Sequence, residues 1–218
     1  MKHNYRWLKK VCLIVFVIFA ATDMMAQSNA QKRSAQARAE LQRLLNLQRQ
    51  LDKLPIDGLD KEPQKSFLIA NEKDIVYNEP GGNYYVRSAR FWDLETKYRG
   101  LMIADRIAWE AANNPLPGEC EGFVNCYIYA IRTTTGKYLE KYPRGEYAAK
   151  AMNSIAKFLE ALAEDKKSGG GYEWPNDRTD KAELGKILDD LRGIVTKTSN
   201  SSTRPLLLKI RKIKLLAR

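Results

Sequence analysis

Histidine is all but missing from this 218-residue chain, which carries one, His3. Everything after that position lacks the imidazole of Ser-His and Cys-His pairs and of His-ligated zinc sites, so much of hydrolytic chemistry is excluded. Cysteine is scarce as well, with Cys12, Cys120 and Cys126. Long apolar runs are limited to residues 11–21 (VCLIVFVIFAA), and eleven helical residues rise only ~16 Å, about half of a bilayer's hydrocarbon core. No phosphate-cradling loop is present: Ser168-Gly169-Gly170-Gly171 is not followed by Lys-Ser/Thr and reads as a linker. Asp189-Asp190 lacks metal-ligand spacing, and neither metal nor cofactor is expected. What the chain does have is an ordinary globular balance, 44% hydrophobic and 29% charged residues, enough for one domain with a real core.

Residues 1–10 (MKHNYRWLKK) hold four basic groups and no acid, the apolar run follows, and Thr22-Asp23 leads to Ala26 before Gln27. That order predicts a secretory signal peptide over 1–26, with a cut after Ala30 as the alternative, and hence a periplasmic or secreted protein. The Ala26-Gln27 junction resembles bacterial cleavage sites. Loss of Cys12 with the signal leaves Cys120 and Cys126, and an even count in an oxidising compartment favours a disulfide over a reactive thiol. Without residues 1–26 the balance is 33 basic to 25 acidic groups, and residues 204–218 (RPLLLKIRKIKLLAR) hold six basic groups and no acid. The positive charge is thus a property of one tail, which argues against nucleic acid as a partner.

Residues 31–54 predict a polar helix stopped by Pro55, with Leu44, Leu47, Leu51 and Leu54 spaced alternately by three and four. This seam either packs inside the protein or joins residues 41–54 of two copies. The stretch 66–87 has β-type composition: Ile75-Val76-Tyr77 and Tyr84-Tyr85-Val86 predict strands joined by the turn Glu79-Pro80-Gly81-Gly82. Its tyrosines either cover helices or offer a platform to carbohydrate or peptide. Helical periodicity then predicts helices over about 90–113, 122–141 and 146–166. A fourth helix is opened by a capping box at Asp180 and Glu183. A linker at 198–203 precedes a basic amphipathic helix. The expected organisation is a signal at 1–26, a helix and linker at 27–65, a hairpin with a helical domain at 66–197, and the linker and basic helix at 198–218.

The stretch 138–151 (YLEKYPRGEYAAKA) resembles the junction between helices in tetratricopeptide-like repeats of bacterial envelope proteins, on Tyr142, Pro143, Gly145, Tyr147 and Ala151. Proline ends one helix, glycine permits the turn, and alanines admit the next helix closely. The resemblance, strongest over 138–162, implies antiparallel helical hairpins and a scaffold that binds other proteins without catalysis. Helix starts near 90, 122, 146 and 181 depart from a 34-residue period, so a mainly α bundle with an added hairpin stands beside the α-solenoid. The loop 117–126 (PGECEGFVNC) also resembles loops of exported bacterial proteins and implies no activity.

Three functions follow as expectations. The first is a non-catalytic envelope scaffold that holds a protein partner through Tyr98, Tyr127, Tyr129, Tyr138 and Tyr142, since aromatic side chains dominate interface energetics. The second is peripheral attachment to an anionic membrane through Lys209, Arg211, Lys212, Lys214 and Arg218, with Leu206, Ile210, Ile213 and Ala217 on the apolar face. The third is a cell-wall hydrolase or inhibitor using Glu119 and Glu121. Two carboxylates alternating in a loop are ordinarily solvated, whereas acid catalysis needs one raised pKa and hence burial.

Overall fold

A computed structural model describes residues 29–55, 57–79, 81–114, 118–198 and 200–217. The expected signal peptide and its cleavage sites lie outside these residues, as does Arg218. The fold is mainly α with one two-stranded antiparallel sheet, as expected.

Helix α1 (29–51) turns Leu41, Leu44, Leu47 and Leu51 into a core shared with the hairpin and the next two helices. The leucine seam is therefore occupied within the protein, and the apolar stripe considered for a dimer at 41–54 is covered by the chain's own residues. Polar ties fix the same helix. Glu40 accepts from Lys97 at 2.7 Å and from the Tyr98 hydroxyl at 2.8 Å, and the Val86 N–H donates to Gln48 Oε1 at 2.8 Å.

Residues 66–70, expected to be β-like, belong to a short helix instead, α2 (Gln64–Ala70). Strands β1 (Ile75–Asn78) and β2 (Asn83–Val86) pair Ile75 with Val86 and Tyr77 with Tyr84. Side chains alternate along a strand, so these two pairs share one face. Ile75 and Val86 are buried, and nearer the turn the rings of Tyr77 and Tyr84 meet at 5.0 Å, with Tyr77 left 43% exposed.

The single helix expected over 90–113 is two: α3 (Ser88–Lys97) and α4 (Ile103–Asn113). Between them Gly100 sits at φ +90°, a conformation that ends a helix and suits glycine. Tyr98 and Leu101 keep helical spacing across the break, which hides it in the sequence. Helix α4 is a shared wall, with Ile107 and Ala111 in the first core and Ala108 and Ala112 in the second.

The second core is built by α5 (Val124–Ile131), α6 (Lys137–Lys141), α7 (Ala148–Ser168), α8 (Arg178–Lys197) and α9 (Thr203–Leu216). A single π turn, Arg132–Gly136, joins α5 to α6. There the hydroxyls of Thr133, Thr134 and Thr135 donate to the carbonyls of Tyr129, Ala130 and Ile131 respectively, one turn back. Gly136 is buried, and a Cβ on it would lie 3.2 Å from the Ile131 carbonyl oxygen and 3.4 Å from Leu191 Cδ1, so its lack of a side chain lets α8 come close.

The turn 142–147 shows why glycine follows the Tyr-Pro pair. The Tyr138 hydroxyl donates to Asp105 Oδ1 at 2.5 Å and accepts the Tyr147 N–H at 3.1 Å, while Asp105 Oδ2 takes the Glu146 N–H at 2.7 Å. A Cβ at Gly145 would fall 2.7 Å from Asp105 Oδ1. Gly169, at φ +69°, ends α7 where the sequence places its stop. Helix α8 is capped one turn earlier than expected: the Asp177 side chain accepts from the N–H groups of Thr179 and Asp180 at 2.7 and 2.9 Å.

Helix α9 packs on α7 and α8 with Leu206, Ile210 and Ile213 fully buried. The apolar face invoked for membrane contact is thus enclosed in the core, for the plain reason that it is the complement of two neighbouring helices. Lys209 pairs with Glu160 at 3.0 Å, Lys212 with Glu164 at 3.8 Å and Lys214 with Asp189 at 2.5 Å, while Arg211 is exposed. Among the described residues no helix is long and apolar enough to cross a membrane.

Candidate functional site

The five tyrosines singled out from the sequence have different fates. Tyr98 and Tyr138 are buried, and their hydroxyls are committed to Glu40 and Asp105. Tyr142 is half-buried and donates to Glu95 Oε1 at 2.8 Å. These three act as internal struts, because large rings with a hydroxyl to satisfy sit well where a carboxylate awaits them. Burial first, and the hydrogen-bonded carboxylates second, push the Tyr138 and Tyr142 hydroxyls well above the ordinary tyrosine value. Tyr127 is half-buried among Phe158 and Tyr172, at ring distances of 6.0 and 5.2 Å. Tyr129 alone of the five is on the surface, 56% exposed.

Around Glu95 the polar cluster is dense and complete. Its carboxylate accepts from Lys141 at 2.8 Å and from Tyr142 at 2.8 Å, and pairs with Arg99 at 3.5 Å. Burial alone would raise this carboxyl, but the hydrogen bonds of Lys141 and Tyr142, the lysine charge and Arg99 together hold it below the ordinary glutamate value. Every oxygen is engaged, so the cluster reads as a clamp between the two halves of the protein.

Tyr129 leads to a different place. A cleft of about 540 Å³ opens between the start of α5, the connector 173–176 and the first turns of α8. Phe123, Asn125, Cys126 and Tyr129 form one side, Glu173, Trp174, Pro175 and Asn176 a second, Asp180 and Glu183 the third. Several local features hold it open. Cys120 and Cys126 are joined as a disulfide with Cα atoms 5.3 Å apart, as the sequence predicts. Glu121 and Gly122 turn the loop at φ +48° and +91°. The connector then crosses the loop as a one-residue parallel bridge, the Val124 N–H donating to the Glu173 carbonyl at 3.0 Å and the Glu173 N–H to the Gly122 carbonyl at 2.9 Å.

The cleft therefore exposes aromatic surface on a braced frame. Phe123 and Tyr129 are 50% and 56% exposed, and Trp174 is half-buried with Lys166 Nζ 5.1 Å from its ring centre. Asn125 donates to the Asp180 carbonyl at 2.9 Å, yet among the described residues nothing bonds its buried Oδ1 or the buried Trp174 Nε1. Each such orphan ordinarily costs about 1–3 kcal/mol. A hydrogen bond shared with Asp177 nudges the Asp180 carboxyl upward, while the N–H of Asp180 lowers that of Asp177. Glu119 and Glu121 are exposed on the loop leading in. Among the described residues no group of three or more His, Cys, Asp or Glu side chains is arranged to hold a metal ion.

Sequence reasoning reached Tyr129 and the disulfide but missed Phe123, Asn125 and Trp174 as lining residues. The available signal was a large aromatic, Trp174, beside Pro175 in the glycine-rich connector 168–177, where no helix pattern demands it. Comparison with protein-family models, with curated proteins and with solved structures finds no match to this chain.

Proposed function

We propose that the protein is a non-catalytic binding module working outside the cytosol, in the bacterial envelope, and that it receives its partner in the cleft at Phe123, Tyr129 and Trp174. One observation carries this reading: two half-exposed aromatic side chains, Phe123 and Tyr129, line one wall of the cleft, and a covalent bridge holds that wall in place. Exposed rings on a rigid frame supply contact area at little conformational cost, the property that makes aromatics the anchors of interfaces. The disulfide also supports export, because such bonds persist in oxidising compartments. The signal-like segment 1–26 supports it independently. The committed hydroxyls of Tyr98, Tyr138 and Tyr142 support a scaffold whose helices hold one another and leave recognition to the cleft.

The test is affinity capture from envelope extract with the wild-type protein and with Phe123→Ser/Tyr129→Ala, a variant whose changes fall on exposed side chains. A partner held by the first and released by the second, at equal thermal stability, supports the reading. A partner held equally by both overturns it. The amino terminus of material isolated from the exporting cell is expected at Gln27, or at Gln31 for the alternative cut.

A further inference from the structure

We infer that the cleft takes a cationic, extended peptide segment, whose Lys or Arg side chains meet its acidic rim while its backbone satisfies the cleft's unpaired polar atoms. The inference rests on the binding reading above and narrows it to a class of partner.

Between residue 26 and the basic tail the chain is nearly balanced, with 27 basic against 25 acidic residues, so a stretch of its surface chosen without regard to function carries both signs. The cleft carries one. Its charged lining residues are Glu173, Asp180 and Glu183, with neither lysine nor arginine among them. Glu119 and Glu121 extend the acidic character onto the adjoining loop.

The aromatic part agrees with the rim. Ring faces attract cations, Arg most often, through their quadrupole. The protein already uses this contact here, with the Lys166 ammonium over Trp174. A cationic side chain brings donors and no acceptor, which suits the Asn125 Oδ1 and the three carboxylates. Trp174 Nε1 asks for an acceptor, and a peptide carbonyl supplies one where a free amine or a metal ion does not. Both orphan atoms belong to side chains that line the cleft. A neutral sugar also stacks on aromatic rings but is indifferent to the sign of the rim, which separates the two experimentally.

The experiment is calorimetric titration of the disulfide-bonded protein with acetyl-(Arg-Pro)4-amide, the matching Glu-Pro peptide and the tetramer of N-acetylglucosamine. The expected result is binding of the Arg-Pro peptide only, weakened about tenfold by raising salt from roughly 0.05 to 0.3 M. A similar loss is expected in Asp180→Asn/Glu183→Gln. Glu173→Gln, an exposed change outside the helix, gives a second reading should the double variant fold poorly. Binding of the sugar that Tyr129→Ala abolishes and the charge variants leave intact overturns the cationic partner while keeping the cleft as the binding site. Failure of all three probes to bind also overturns it, and the capture experiment still judges the cleft separately.

Discussion

Removing the carboxylate of Glu95 tests whether the two halves of the protein are clamped from within. The Glu95 side chain is 2% exposed and its closest cation, Lys141, is 27% exposed and forty-six positions away in sequence. Breaking a buried pair by deleting one partner costs roughly 3–5 kcal/mol, because the other charge is left uncompensated. Lys141 regains some water, which lowers that figure, while Tyr142 loses its acceptor and adds to it. Glu95→Ala is therefore expected to lose about 3 kcal/mol, a fall in Tm of roughly 6–12 °C for a chain of this size. Urea unfolding reads it as a lower midpoint at unchanged slope. Tyr142→Phe alone is expected to lose about 1 kcal/mol but to cost little in the Glu95→Ala background, where the hydroxyl has no carboxylate to meet. The pH dependence adds a sign. Since the folded carboxyl is held below its ordinary value, its contribution is complete above the unfolded pKa of about 4.3 and is lost as pH falls through the depressed folded value. The gap between wild type and Glu95→Gln should close on that acid limb. A Glu95→Ala protein within about 0.5 kcal/mol of wild type at neutral pH would refute the clamp, since that is the range of an ordinary surface change.

Other expectations concern the bridge and the glycines. The disulfide closes a loop of sequence separation 6, so Cys120→Ser/Cys126→Ser is expected to lose about 2 kcal/mol, read by thermal unfolding beside wild type with and without reductant. An equal Tm in all three states sinks the assigned role of the bridge. Gly136→Ala and Gly193→Ala should move in opposite directions although both lie within helical segments. Position 136 meets the Ile131 carbonyl oxygen at 3.2 Å, whereas position 193 has nothing within 4 Å. Overpacking of about 1–3 kcal/mol outweighs the helix propensity gained at 136, and the gain of up to about 1 kcal/mol stands alone at 193. Denaturant midpoints shifting in the same direction count against that account.

The sequence was most informative where a local rule acts. Ile75 to Tyr77 and Tyr84 to Val86 alternate around a turn, and the hairpin lies there; Gly169 stops α7 because a left-handed cap needs it. It was least informative where neighbours decide. The break at Gly100 is concealed by Tyr98 and Leu101, which keep helical spacing on either side. The β-like letters Phe67 to Ile69 form a helix in which only Leu68 is buried. The capping box at Asp180 and Glu183 lost to Asp177, whose carboxylate reaches two N–H groups at once. Of the cleft, the bridge was legible from cysteine arithmetic, but Phe123 and Trp174 stand fifty-one positions apart and line one cleft only because the connector crosses the loop.

Helix α4 offers Ala108 and Ala112 to one side and Ile107 and Ala111 to the other, so neither core owns it. Peeling away either half would leave this short segment with an apolar stripe bared to water and no partner behind it. The protein consequently has little to gain from melting piecemeal. Its two lobes should surrender together, with the amides of this central strut among the last to trade their protons with solvent.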